Sequence, residues 1–331
     1  MSYNKKAYKQ FGEFLSHDDT LDYEEGIFSH SYSIFKRVLN KLNKKNRSVG
    51  LKIDFILTNS FKFNAHALKL EGNEYLIAFR AGVVTKTLHA LGADMDFYKD
   101  RFESPELGDI EAPLAIGCFF VWHQMFFHEI GHILRGHSDI VNDSNMISMI
   151  GGPQEILSSK ILTDLSLSNE DLKFLMEIDA DVFSAALLAH HIHSLILKPM
   201  SGSAIPEKDI LTIFFGSIFF FFNWVCEVSK DSGTHPPAML RSHILFEEVI
   251  RNLDGKLKIP RDEITGLMRQ VTFDCYSYLH DHEAFAQGMS HEKLDRLEAL
   301  GQKARAYYPA FSKYVVENLS KVSAEVEIDK A

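Results

Sequence analysis

The sequence is poor in cysteine, in tryptophan and in clustered basic side chains. Its 331 residues include 3 Cys and 2 Trp, and 45 acidic against 35 basic residues give a formal net charge of -10. Three widely spaced cysteines exclude a small disulfide-stapled scaffold and indicate buried thiols in a reducing compartment. The negative charge argues against a nucleic-acid partner, because phosphate contacts require clustered Lys and Arg. We therefore expect a cytoplasmic protein that binds no nucleic acid.

The sequence also has little that predicts export or a membrane span. Residues 1–14 contain no apolar stretch, so no secretory signal is expected. Residues 210–226 are a long uncharged run, but a spanning helix needs about 20 predominantly apolar residues. Thr212, Gly216 and Asn223 also interrupt this run. We expect a helix buried in the core, and membrane association is the alternative.

Hydrophobic residues are abundant and follow mainly helical spacing. They make up 46% of the chain, which contains 26 Phe, enough for a sizeable core. Helical spacing predicts helices at 27–46, 82–100, 113–137, 169–197 and 210–226. Strands are predicted at 51–58, 63–70 and 75–80, and a loop at 138–153. The sequence thus predicts an α+β protein, mostly helical, with a small sheet over the central helix.

The central helix contains the most informative motif, HEIGH, at residues 128–132. Residues four apart lie one turn apart on nearly the same helix face, so His128 and His132 can bind one metal ion. A catalytic zinc ion has three protein ligands and an open position for water. The adjacent Glu129 can take the proton of that water. The alternative is a helix with two hydrogen-bonded core histidines and a paired glutamate.

A third ligand must come from elsewhere in the chain. The metzincin pattern would place a histidine ten residues after His128, but that residue is Ser138, and Arg135 stands where that pattern has glycine. His137 lies about 180° from His128 round a continued helix. That geometry makes His137 a poor ligand. It favours a histidine that lies at the helix end or forms a hydrogen bond with a ligand.

A better candidate lies in the sequence EIDAD at 177–181. Glu177 and Asp181 are again four residues apart, so their side chains face the same way. Apolar neighbours indicate burial, and buried carboxylates require partners. One carboxylate can bind zinc while the other accepts the N–H of a ligating histidine. The alternative is an acidic face exposed to solvent.

These motifs resemble those of the gluzincin metallopeptidases, and more narrowly the family of the CAAX prenyl endopeptidase and the bacterial heat-shock membrane endopeptidase. The shared pieces are HEIGHILRGH with its trailing Gly-His, KFNAHAL at 62–68, EIDADVFSA, and THPPAMLR at 234–241. The soluble phage-exclusion peptidases have similar pieces. The family's membrane helices are reduced here to one candidate, so the soluble relatives are closer.

The resemblance covers roughly residues 60–245 and implies a gluzincin-like fold. It implies a metallopeptidase domain at 51–250, after a helical segment at 1–50 and before a helical extension at 251–331. It also implies zinc ligands His128, His132 and Glu177, general base Glu129, and Asp181 as the support of a histidine. Substrate or oxyanion contacts are implied for His235 and Arg241. A peptide would add to an edge strand near 63–70 or 75–80, at Asn64, Ala65 and His66, although His66 replaces the family's usual Phe.

The sequence therefore predicts a zinc-dependent endopeptidase that uses one Zn²⁺ ion and acts on an intracellular protein or peptide. A latent protease of a stress or phage-defence response, held inactive until a regulatory partner arrives, is one alternative, with residues 138–155 as its lid. A catalytically silent zinc-binding protein is another, although structural zinc sites are normally closed by four protein ligands. Without the resemblance, His235 would be interpreted as a turn residue and Arg241 as a surface charge.

Overall fold

The computed structural model describes residues 13–15, 26–99, 101–102, 107, 111–142, 146–148, 156–157, 159–197, 205–228, 236–281 and 291–320. The helices are α1 (Ile27–Lys45), α2 (Ala81–Ala93), α3 (Glu111–Leu134), α4 (His137–Ile140), α5 (Ser159–Leu165), α6 (Asn169–Leu197), α7 (Glu207–Val228), α8 (Ala238–Leu253), α9 (Arg261–Asp281) and α10 (His291–Asn318). The strands are β1 (Phe14–Leu15), β2 (Lys52–Thr58), β3 (Ala65–Lys69), β4 (Glu74–Arg80), β5 (Val141–Asn142), β6 (Met146–Ser148) and β7 (Ile156–Leu157). The predicted α+β class, mostly helical with a small sheet, is confirmed.

The helices that matter for the site begin and end at clear local signals. Helix α6 begins after Ser168, whose Oγ accepts a hydrogen bond of 3.0 Å from the N–H of Asp171. The Asp171 carboxylate in turn accepts a hydrogen bond of 3.2 Å from the N–H of Ser168, which completes a reciprocal cap. Helix α3 ends at Leu134, three residues before the predicted end, because Gly136 adopts a φ of 76°.

The larger sheet has the strand order β1-β2-β4-β3-β6. Strands β2 and β4 are parallel, and β3 pairs antiparallel with β4 on one side and with β6 on the other. The hairpin between β3 and β4 turns at residues 71–74, with the Glu74 N–H donating to the Glu71 carbonyl at 2.9 Å. The short strands β5 and β7 form a separate antiparallel pair.

This strand order corrects the prediction of an edge strand at 63–70 or 75–80. Strand β4 lies between β2 and β3, and β3 lies between β4 and β6. Strand β6 belongs to the segment that the sequence predicted as a loop, and it pairs with β3 from His66 to Leu68. An exposed row of backbone N–H and C=O groups favours such pairing, so the chain itself occupies the position assigned to a peptide.

The chain divides into two compact units. One contains the described parts of residues 1–87, 125–180 and 308–331, and the other those of 88–124 and 181–307. The predicted division into 1–50, 51–250 and 251–331 stays a prediction, because these units are defined by spatial contact and a domain by independent folding.

Phenylalanine side chains form the core of the first unit around one face of the sheet. Phe35 of α1 stacks on Phe126 of α3, with ring centroids 4.0 Å apart. Both rings also meet Phe55 of β2, at 5.3 and 5.7 Å, and Phe35 meets Phe79 of β4 at 5.9 Å. These contacts fix the second half of α3 against the sheet.

In the second unit, α7 is a core helix. Every side chain from Asp209 to Asn223 is buried, and the rings of Phe214 and Phe215 lie 5.8 and 5.1 Å from Phe246 of α8. This burial favours the core alternative for the apolar run at 210–226. Among the described residues, α6 alone is long and apolar enough to cross a membrane, with 44% of its apolar window buried; a single such helix is weak evidence, because core helices meet the same criteria.

Candidate metal centre

Helix α3 brings the two histidines of the HEIGH motif together. His128 and His132 are fully buried, and their Nε2 atoms are 3.0 Å apart. The rings are nearly perpendicular, with centroids 4.6 Å apart. The predicted spacing of one helical turn thus places both Nε2 atoms at one point on the helix surface.

Helix α6 supplies the carboxylate that meets these two rings. Glu177 Oε2 lies 3.4 Å from His128 Nε2, and Glu177 Oε1 lies 3.4 Å from His132 Nε2. A tetrahedral ion with bonds of about 2.0–2.1 Å separates its ligand atoms by about 3.3 Å. The three predicted ligands therefore have the donor types and the spacing that a zinc ion requires, and this buried group could hold a metal ion.

The two helices approach closely because both have small residues at the crossing. A Cβ atom added at Gly131 would lie 3.2 Å from the Cα and the carbonyl oxygen of Ala180. Such a distance is shorter than normal contacts allow, so only glycine fits without a shift. The second and third predicted ligands, His132 and Glu177, lie within three residues of this contact.

The buried environment also controls protonation. Burial lowers the pKa of His132 to about 3, although its hydrogen bond with Glu177 opposes this shift. The imidazole is therefore neutral at pH 7, which is the form that binds a metal. Burial, followed by the charge of Arg80, likewise lowers the pKa of His66 in β3 to about 3.

Glu129 lies next to the first ligand and is completely buried. Its position in α3 is about 100° round the helix from His128 and therefore on an adjoining part of the same surface. A buried carboxylate is costly without compensating partners or a metal nearby. Its burial next to His128 in α3 is consistent with the predicted base.

Two predicted functional residues, Asp181 and Arg241, are instead bound to each other in the second unit. Arg241 donates from Nε and Nη2 to the two carboxylate oxygens of Asp181, at 2.7 and 2.8 Å. Gln124 donates to the same carboxylate at 3.3 Å, and Ser184 donates to Gln124 at 2.9 Å. Asp181 therefore has an arginine partner where the resemblance implied a histidine, and Arg241 is buried in a bidentate ion pair.

A further carboxylate of α6, Asp179, contacts a histidine of this region, and the sequence predicted no role for it. Its Oδ2 lies 3.1 Å from His137 Nε2, and Arg135 donates to both its oxygens at 2.7 Å. Tyr308 of α10 donates to Oδ1 at 3.0 Å. Burial alone would raise the pKa of Asp179, but the hydrogen bonds from His137 and Arg135 lower it to about 2.

The residues predicted to contact substrate at 64–66 lie in or next to an internal strand. Ala65 and His66 are buried in β3, and Asn64 precedes that strand. The N–H of Arg80 donates to the Asn64 carbonyl at 3.1 Å. Because β3 is an internal strand, these residues do not offer the free edge that was predicted. His235 lies outside the described residues.

Comparison of the chain with protein-family models, with curated proteins and with solved structures finds no significant match. The resemblance to gluzincin peptidases therefore depends on the sequence motifs and stays a prediction.

Proposed function

We propose that this protein is a zinc-dependent endopeptidase of gluzincin type that cleaves a protein or peptide in the cytoplasm. The observation that carries the proposal is the convergence of His128, His132 and Glu177 in a buried site, with Glu129 adjacent to the first ligand. Three protein ligands leave one position of a tetrahedral ion for water, as in catalytic zinc sites.

In this proposal, three residues hold the ion and a fourth residue transfers a proton. A zinc ion at this site would supply a water of pKa about 7 and polarise the scissile carbonyl. His128 and His132 would hold the ion through Nε2, and Glu177 would hold it through its carboxylate. The Glu129 carboxylate accepts the proton of the attacking water and returns it to the leaving nitrogen. Arg241 is paired with Asp181, so we assign it no contact with the oxyanion. Glu129 is the one described residue to which we assign proton transfer.

The experiment compares three glutamate variants for zinc content and for cleavage. Glu177→Gln loses a ligand and is expected to lose both. Glu129→Gln is expected to retain zinc and to lose cleavage, because an amide cannot accept the proton. Glu170→Gln, an exposed residue in the first turn of α6, is the matched control and is expected to retain both.

Because no substrate is specified, cleavage is measured by profiling new protein N-termini in cells that express each variant. Wild-type protein without zinc, or Glu129→Gln cells with the wild-type set of N-termini, would contradict the proposal. A Glu129→Gln protein that binds zinc in the absence of any wild-type cleavage would favour the silent zinc-binding alternative.

A latent form of this peptidase is a second candidate, favoured by the pairing of β6 with β3. Met146–Ser148 occupies the strand position at which an extended peptide would add. Ile147→Pro removes a backbone donor from β6. If the strand blocks substrate, this variant is expected to cleave more than wild type; equal cleavage would contradict latency.

A further inference from the structure

Both nitrogens of the ligand His132 have specific neighbours. Its Nε2 points at His128 and Glu177, as described above, and its Nδ1 lies 3.0 Å from Nδ1 of His137. The other nitrogen of His137, Nε2, lies 3.1 Å from Asp179 Oδ2. The side chains of His132, His137 and Asp179 are buried, with exposures of 0%, 0% and 1%.

A metal bound at His132 Nε2 fixes the proton positions along this series. A neutral imidazole that ligates through Nε2 carries its hydrogen on Nδ1. That N–H must donate to Nδ1 of His137, which therefore accepts. His137 then carries its own hydrogen on Nε2, the nitrogen that lies 3.1 Å from Asp179 Oδ2. The tautomer of each ring is thereby fixed, and the N–H of His137 lies on the side of the carboxylate.

The anion at the end of the series is held in place by other residues. Arg135 binds both oxygens of Asp179 and also donates to Ser312 Oγ at 3.0 Å. Tyr308 adds a further hydrogen bond to Oδ1. A carboxylate held in place next to His137 makes the ring of His137 a better hydrogen-bond acceptor. This in turn makes the ligating nitrogen of His132 more basic.

We propose that His137 and Asp179 are positioning residues of the metal centre, which hold the ring of His132 in one tautomer and orientation and thereby strengthen its bond to zinc. This inference depends on the proposed zinc site, but it does not depend on peptidase activity. It assigns to Asp179 the support that the sequence had assigned to Asp181.

The test measures zinc affinity in purified full-length protein by competition with a chromophoric chelator. His137→Phe keeps a ring and removes both nitrogens, and it is expected to weaken zinc binding by about 10- to 100-fold, the range for the loss of such partners. His137→Gln can accept from His132 and donate to Asp179, so its affinity is expected to lie closer to wild type. Tyr307→Phe, on α10 with its side chain 47% exposed, removes a hydroxyl outside this series and is the matched control, expected to retain wild-type affinity.

The visible absorption of the Co²⁺-loaded protein gives a second readout, because its bands report ligand geometry. They are expected to shift in His137→Phe and to return towards wild type in His137→Gln. A merely structural role would lower the stability of the metal-free protein and leave zinc affinity and cobalt bands unchanged. That result would overturn the proposal.

If His137→Phe does not fold, Asp179→Asn takes its place, since it keeps the shape and removes the anion. It is expected to weaken zinc binding, and unchanged affinity would overturn the proposal. A wild-type protein that binds neither Zn²⁺ nor Co²⁺ would overturn the proposed function and this inference together. A wild type that binds zinc with the same affinity as His137→Phe would overturn this inference alone.

Discussion

Replacing Arg241 with methionine distinguishes a role in folding from the role in chemistry that the sequence resemblance implied. The Arg241 and Asp181 side chains are 4% and 0% exposed. The guanidinium also lies 5.2 Å from the ring centroid of Phe222. Arg241→Met keeps an unbranched apolar stem, but it leaves the Asp181 carboxylate buried without its bidentate partner.

The size of the effect follows from that unbalanced charge. Removing one partner of a buried ion pair costs about 3–5 kcal/mol, whereas an exposed pair contributes about 0–1 kcal/mol. We therefore expect Arg241→Met to lower the free energy of unfolding by about 3–5 kcal/mol. Arg251→Met, on the same helix with its side chain 64% exposed, is the matched control and is expected to change it by less than about 1 kcal/mol.

The double variant Arg241→Met/Asp181→Asn tests whether the buried charge causes this loss of stability. Asp181→Asn removes the charge but keeps an oxygen that accepts from Gln124. Because the second change relieves the buried charge created by the first, the double variant is expected to be about 1–3 kcal/mol more stable than the sum of the single effects.

Urea unfolding followed by circular dichroism, on metal-free protein, gives the four free energies needed for this cycle. Additive effects, or a cost for Arg241→Met no larger than that for Arg251→Met, would refute the structural account. An Arg241→Met protein with wild-type stability and no cleavage would instead restore a direct catalytic role.

Three further predictions concern pH, packing and metal. A buried His66 that stays neutral down to about pH 3 destabilises the fold as pH falls below about 6.5, because only the unfolded chain then binds the proton; at pH 5 the loss is about 2 kcal/mol. His66→Phe is expected to reduce the drop in unfolding free energy between pH 7 and pH 5 by that amount, and an unchanged drop would contradict it. Gly131→Val is expected to push Ala180 away and to weaken zinc binding measured by chelator competition; wild-type affinity would show that the helix contact is not required. Free zinc at a hundredfold excess over its dissociation constant is expected to stabilise the wild-type protein by about 2.7 kcal/mol and Glu177→Gln by much less, as measured by urea unfolding; equal gains would exclude this carboxylate as a ligand.

The parts of the molecule that local spacing determines could be predicted from the sequence. The pairing of His128 with His132 follows from the helix period, and so does the helical position of Glu177. The start of α6 is indicated by the capping signal at residues 168–171. The turn between β3 and β4 is equally local. In each case the residues that decide the structure are adjacent in sequence.

The parts that depend on distant segments could not be predicted in this way. Helix spacing places Asp181 on the face of Glu177 and Asp179 on another, but it does not specify which partner each carboxylate meets. Asp181 pairs with a residue 60 positions later, and Asp179 with Tyr308, 129 positions later. Strand β6 likewise could not be predicted. Its three residues are too few to show a strand pattern, and they form a strand by pairing with β3.

The conformation of Gly136 determines where the chain places His137. Its φ of 76° ends α3 and turns the chain, so the next residue leaves the helical path on which it would have pointed about 180° away from His128. A Cβ atom at this glycine would also collide with the carbonyl of Leu319, after α10, and Ser320 donates to the Leu134 carbonyl at 3.3 Å. The C-terminal segment thus fixes the turn that brings His137 against the back of His132. In the proposed metal centre, the third ligand then comes from a separate helix, while the residues that follow the motif hold its second histidine in place.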